Sequence, residues 1–202
     1  MTILEKTIAT PSIAEDPRLH RFTRDEYYQM ADLGFFQAKR VELIYGEIVE
    51  MAAMKDMHAA GILLAIDAFK AALPGLLVRS QLPLNLAEHS APEPDISVVT
   101  GTIRDYVGTG HPKTAELIVE ISDTTLNYDR SIKAALFAEA GIRDYWIVNL
   151  NSNCVEGMRE PMQDISSPLG WRYGSVTVFK AGDKLSPLAK AGVGIAVADL
   201  LP

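Results

Sequence analysis

Cysteine is almost absent from the 202-residue chain: Cys154 stands alone, so no internal disulfide can form and a cytoplasmic, reducing setting is the simplest expectation. No apolar run approaches the roughly 18–20 residues that span a bilayer, which excludes a membrane-spanning reading. The start of the chain offers Lys6 and a broken apolar stretch rather than a secretory signal. Residues 1–21 therefore read as a flexible lead-in, and residues 22–202 as a single domain. Basic side chains are in deficit, with 19 Lys and Arg against 26 Asp and Glu and a net charge of −7. Broad, non-specific clamping of nucleic acid needs many phosphate contacts from Lys and Arg, so the balance argues against it. It leaves room for an acidic metal site that meets a phosphodiester locally. No phosphate-binding loop or dinucleotide fingerprint occurs. His20, His89 and His111 lack the spacing of a zinc site, and no internal repeat is visible.

What is present is an ordinary globular composition, 48% hydrophobic and 22% charged. Thr23 with Glu26 three residues on predicts a capping box and a short helix. Val41 to Met51 predicts a hairpin turning at Tyr45-Gly46. A helix is expected over 57–73, stopped by Pro74-Gly75. Short strands are expected over 76–80, 82–86 and 95–99, and a buried central strand over 115–122. A second helix follows over 129–140, with Gly141 as its cap. Strands are then expected over 144–149, 155–159 and 176–180. The order predicts an α/β fold, a mixed sheet flanked by helices.

Glu120 interrupts Leu117-Ile118-Val119-Glu120-Ile121, where an unpaired carboxylate would cost several kcal/mol to bury. Something cationic must meet it. Glu42 has the same problem inside Val41-Glu42-Leu43-Ile44. Asp95 opens a strand directly after Pro94, and Lys133 lies one turn into the helix that follows Glu120. Clustered carboxylate oxygens suit a hard cation such as Mg2+ or Mn2+. A nearby ammonium suits phosphodiester chemistry, by orienting or deprotonating water or by stabilising charge on phosphorus.

Pro94-Asp95 followed by Glu120-Ile121-Ser122 resembles the PD-(D/E)XK nuclease signature, with serine in the lysine slot. The hairpin Glu42–Met51, His58, Pro94-Asp95, Val119–Ser122, Asp129 with Lys133, and Gly141–Val148 together resemble the Uma-type restriction endonucleases of bacteria. The similarity runs over about residues 22 to 160. It implies a restriction endonuclease-like fold and a divalent-metal DNA endonuclease, with Asp95 and Glu120 as metal ligands. It further implies Glu42 as an additional acidic member and Lys133 as the displaced catalytic lysine. Asn149 and Phe137 depart from aspartate and tyrosine that are common in relatives, but neither is a proposed ligand. A homodimer would fit the cutting of both strands of a duplex.

Each residue also has a plainer explanation. Asp95 fits a strand-start aspartate, Glu120 an ion pair with Arg143, and Glu42 an exposed hairpin edge. Lys133 fits a solvated lysine paired with Asp129. His58 fits a helix-terminal cap or a phosphate or water contact. Met51, Met54 and Met57 fit packing, Trp146 core, and Cys154 a structural thiol. The non-enzymatic alternative is a silent nuclease fold that binds nucleic acid or protein, favoured by Ser122. A two-carboxylate glycosidase leaves Lys133 without a role.

Overall fold

A computed structural model describes residues 19–202 of the chain. The expected lead-in lies almost wholly outside the described residues. Thr23 caps helix α1 (Arg24–Asp32) with the reciprocal Glu26 bond that its spacing predicts. Strands β1 (Val41–Ile44) and β2 (Glu47–Glu50) form a separate two-stranded sheet. Between them Tyr45 and Gly46 take φ of 51° and 79°, the two left-handed residues of a tight hairpin turn. Tyr45 is a costly residue there, and its neighbours hold it: Ser90 Oγ accepts from its N–H at 3.0 Å and Arg21 donates to its carbonyl at 2.9 Å.

The main sheet has six strands in the order β3 (Leu77–Ser80), β4 (Ile96–Val99), β5 (Leu117–Ser122), β6 (Asp144–Asn149), β7 (Cys154–Gln163), β8 (Trp171–Lys180). Only β5 and β6 run parallel, so the chain between them must cross over the sheet. The crossover is continuously helical over residues 126–139: α3 (Leu126–Tyr128), a π-helical turn (Asp129–Lys133), then α4 (Ala134–Glu139). Helix α2 (Asp56–Ala72) covers the opposite face.

Strand β5 shows why the sheet needs both covers. Its period of two sends Val119 and Ile121 towards Ile62, Ala65 and Phe69 of α2. Ile118 goes the other way, to Phe137 and Tyr145. Gly61 lets α2 sit close, because a Cβ there would lie 2.9 Å from Ile121 Cγ2. Two short strands, β9 (Lys184–Leu185) and β10 (Ile195–Ala196), and a closing 3-10 turn (Val197–Leu200) complete the chain.

Three expectations need correction. Residues 82–86 are not a strand; Pro83 has no N–H to pair, and the segment is instead held by Leu84 N donating to Pro92 O and Asn85 N to Pro112 O. The last two strands are much longer than expected and pair as one hairpin, with Pro161 inside β7. Met54 and Met57 are exposed rather than packed. Among the described residues no helix is long and apolar enough to cross a membrane.

Candidate active site

Four elements converge on one cavity of about 310 Å³. Strand β1 supplies Glu42, the residue before β4 is Asp95, β5 supplies Glu120, and the π turn supplies Lys133. All four are buried. On β5, Glu120 and Ser122 share the face that looks at the crossover. The wide π turn puts Asp129 and Lys133 inward on that same side, a distortion common at functional sites.

Lys133 Nζ lies 2.9 Å from Glu120 Oε1 and 3.2 Å from Glu42 Oε2. The partner of Glu120 is thus Lys133 and not Arg143, and Lys133 is neither solvated nor bridged to Asp129. Glu42 is no exposed edge either, since its Oε2 also accepts from Glu93 N at 3.0 Å. The second oxygen of Glu120 accepts from Asp95 N at 3.1 Å. Asp95 itself is clamped: Oδ2 accepts from Ile121 N at 2.9 Å, while Oδ1 lies 3.1 Å from His58 Nε2 and 3.2 Å from Gln81 Nε2. His58, near the start of α2, therefore caps a carboxylate rather than a helix. The slot left by Ser122 is filled by a bond to Asp129 Oδ2 at 2.9 Å, which Thr125 reinforces at 2.7 Å.

The electrostatics follow from burial and crowding. Burial pushes the Glu120 carboxyl well above its ordinary range, against the pull of Lys133. Burial also raises Asp129, and raises Glu93 with help from the charge of Glu42. Burial alone would lower Lys133, but Glu120, Glu42 and Asp129 outweigh it and hold the ammonium charged far above its usual range. Asp95 is pushed up by burial yet ends below its ordinary value, because His58, the Ile121 N–H and Lys133 favour its charge. The bond to Asp95 raises His58 in turn.

Seven carboxylate residues line the cavity against Arg40, Lys55 and Lys133 as permanent cations. Arg40 and Lys55 are already engaged by Glu93 and Asp123. Among the described residues no three His, Cys, Asp or Glu side chains are grouped as a ready cation cage. The oxygen-only acidic donors and the surplus of negative charge nevertheless match what a hard divalent ion requires. Gln81, Glu93, Tyr128 and Asp129 were not singled out as site members from sequence. Asp129 could have been, since it shares a helix face with Lys133 at i, i+4; Gln81 and Tyr128 carry no such signal.

A family model described as "Putative restriction endonuclease", Uma2, matches residues 24–198. The chain belongs to the Uma2 family. The matched residues include every element that lines the cavity. A solved structure from Anabaena variabilis, described as a putative nuclease belonging to DUF820, superposes with a TM-score of 0.65. It is 16% identical, over 89% of this chain and 97% of that one, and shows that this Uma2 chain shares its fold. Among curated proteins none matches.

Proposed function

We propose that this Uma2 protein is a divalent-metal-dependent endonuclease that hydrolyses DNA phosphodiester bonds. The observation that carries the reading is the buried Lys133 ammonium held between Glu120 and Glu42 in the cavity that also holds Asp95. A lysine absent from the usual slot two residues after the glutamate has been restored to that glutamate from the crossover helix. Buried charges of this kind are destabilising unless paired, and an apolar cluster would serve stability as well. A silent fold gives no reason to keep them.

Asp95 and Glu120 would hold Mg2+ or Mn2+, with Glu42 adjacent. When bound, the ion supplies Lewis acidity that offsets phosphate charge and favours attack by water. The other roles belong to the chain itself. An ammonium ion-paired to two carboxylates keeps its proton, so Lys133 acts through charge and hydrogen bonding on the phosphate or the attacking water, not as a base. His58 and the Ile121 N–H keep Asp95 ionised and oriented towards the cavity. The acidic lining repels a free polyanion, so productive approach of DNA depends on the cation being loaded first. Cutting both strands would use two copies about a twofold axis.

Plasmid and duplex oligonucleotides incubated with Mg2+ or Mn2+ test the reading, alongside calorimetry with Mn2+ on wild type, Asp95→Ala and Glu120→Ala. Metal-dependent cleavage that stops in EDTA and is lost in a folded Asp95→Asn variant is expected. Equal Mn2+ binding by all three proteins would overturn the ligand assignment, and undiminished cutting by Asp95→Asn would overturn the mechanism.

A further inference from the structure

Gln81 is one of five non-glycine residues among those described with positive φ, at +52°, and the one of them that lines the cavity. Left-handed backbone is unfavourable for a residue with a Cβ, and such strain collects where a site over-determines it. Gln81 follows the last residue of β3, and its own N–H lies 3.2 Å from the carbonyls of both Pro94 and Asp95. The side chain turns back in the same direction, placing Nε2 3.2 Å from Asp95 Oδ1. Backbone and side chain thus both grip the residue before β4. A relaxed, extended residue at position 81 would carry the chain on past β4 and direct its side chain away.

The geometry points to Gln81 as a positioning residue whose left-handed backbone and amide hold the Asp95 carboxylate in the orientation that receives the cation. This rests on the reading of Asp95 as a ligand. Oδ2 of Asp95 is committed to the Ile121 N–H, so orientation within the cavity is decided at Oδ1. Oδ1 meets two groups from different elements, His58 of α2 and Gln81 beside β3. With Oδ2 held by Ile121, His58 alone would fix Oδ1 from one side only. Gln81, fixed through its main chain to Pro94 and Asp95, supplies the second direction. A neutral amide does so without adding a charge that would compete with the cation. Partners of this kind, one bond removed from a metal, affect affinity by about 10–100-fold.

Two variants separate the strain from the bond. Gln81→Gly removes both, while Gln81→Asn tolerates the left-handed backbone but is one methylene too short to reach Asp95. The full chain of each is compared with wild type by thermal melting without metal, by calorimetry with MnCl2, and by hydrogen exchange at the Ile121 amide without metal. Both variants should fold, with Gln81→Gly melting no lower than wild type. Both should bind Mn2+ about 10-fold more weakly, and the Ile121 amide should exchange faster while Val119 is unchanged. Variants that match wild type in Mn2+ affinity and in Ile121 protection would overturn the assignment, as would a Gln81→Gly that melts well below wild type. A wild-type protein that binds no Mn2+ would count against Asp95 as a ligand. The metal-free exchange at Ile121 would then still decide whether Gln81 holds that carboxylate.

Discussion

Replacing Lys133 by methionine keeps most of its volume and removes only the ammonium, which makes it the sharpest probe of the site. At 2.9 and 3.2 Å from two carboxylates, the ammonium gains about 5–6 kcal/mol from each at an effective dielectric of about 20. Desolvation of three buried ions cancels much of that. Removing one partner of a buried cluster then costs about 3–5 kcal/mol, because uncompensated charge stays behind. For a chain of this size that is a fall in Tm of roughly 10 °C. The loss should depend on pH in a definite direction. Glu120 is held above its ordinary value of 4.5, and without Lys133 it rises further. A raised carboxyl binds its proton in the folded state after the unfolded chain has released it. Stability therefore falls as pH climbs from about 4.5 through the folded value, and is regained on acidification. Circular dichroism melts in EDTA at pH 8 and pH 5 check this: a large deficit at pH 8 that shrinks at pH 5. A Lys133→Met protein that melts within about 2 °C of wild type at pH 8, or a deficit that does not shrink, would show that the ammonium does not hold these carboxylates together.

Two further outcomes are expected, at Arg130 and at Tyr128. Arg130 reaches the buried Glu156 with two hydrogen bonds, at 2.8 and 2.6 Å, and Asn149 adds a third at 2.9 Å. Burial pushes Glu156 up, but Arg130 and Asn149 outweigh it and hold it below its ordinary 4.5. The pair's contribution is thus present above about 4.5 and fades as pH falls through the lowered value. Arg130→Ala should cost about 1–2 kcal/mol at pH 7, allowing for the exposed half of the arginine, and clearly less at pH 3 by urea unfolding. The Tyr128 hydroxyl is buried without a hydrogen-bond partner. Tyr128→Phe should leave stability unchanged or raise it by about 1 kcal/mol, and a loss of that size in urea unfolding would show that the hydroxyl is engaged.

The parts of the molecule that were legible in sequence are those where one local rule dominates. β5 announces itself as an apolar run with one glutamate, and that glutamate demands a cation. The cap at Thr23 depends only on sequence neighbours, and the turn at Tyr45-Gly46 is announced by its glycine although Ser90 and Arg21 hold it. Residues 82–86 misled because Leu82, Leu84 and Leu86 alternate like a strand while Pro83 withdraws the N–H that pairing needs. The length of β7 and β8 was hidden because Pro161 and the exposed, mixed sequence of β8 carry little strand pattern. The identity of Glu120's partner depended on how far the crossover leans over the sheet, which is set by the π turn and by packing. Gln81 was illegible for a deeper reason: its role rests on a backbone angle imposed by the strand beside it.

The hairpin that carries Glu42 belongs to a different sheet from the one that carries Glu120. It is tied to the main body by the Lys133–Glu42 ion pair, by Ala91 N donating to Leu43 O at 2.8 Å, Gly46 N to His89 O at 2.7 Å, Tyr45 N to Ser90 Oγ at 3.0 Å and Glu93 N to Glu42 itself, and by the burial of β1. Detaching β1 and β2 would break these bonds and empty one wall of the cavity, while all six strands stay paired. Such an excursion costs less free energy than unfolding the chain as a whole. An intact cavity and a folded sheet are therefore separable states, and warming should lose the first before the second. The hairpin amides should be the early exchangers that mark the difference.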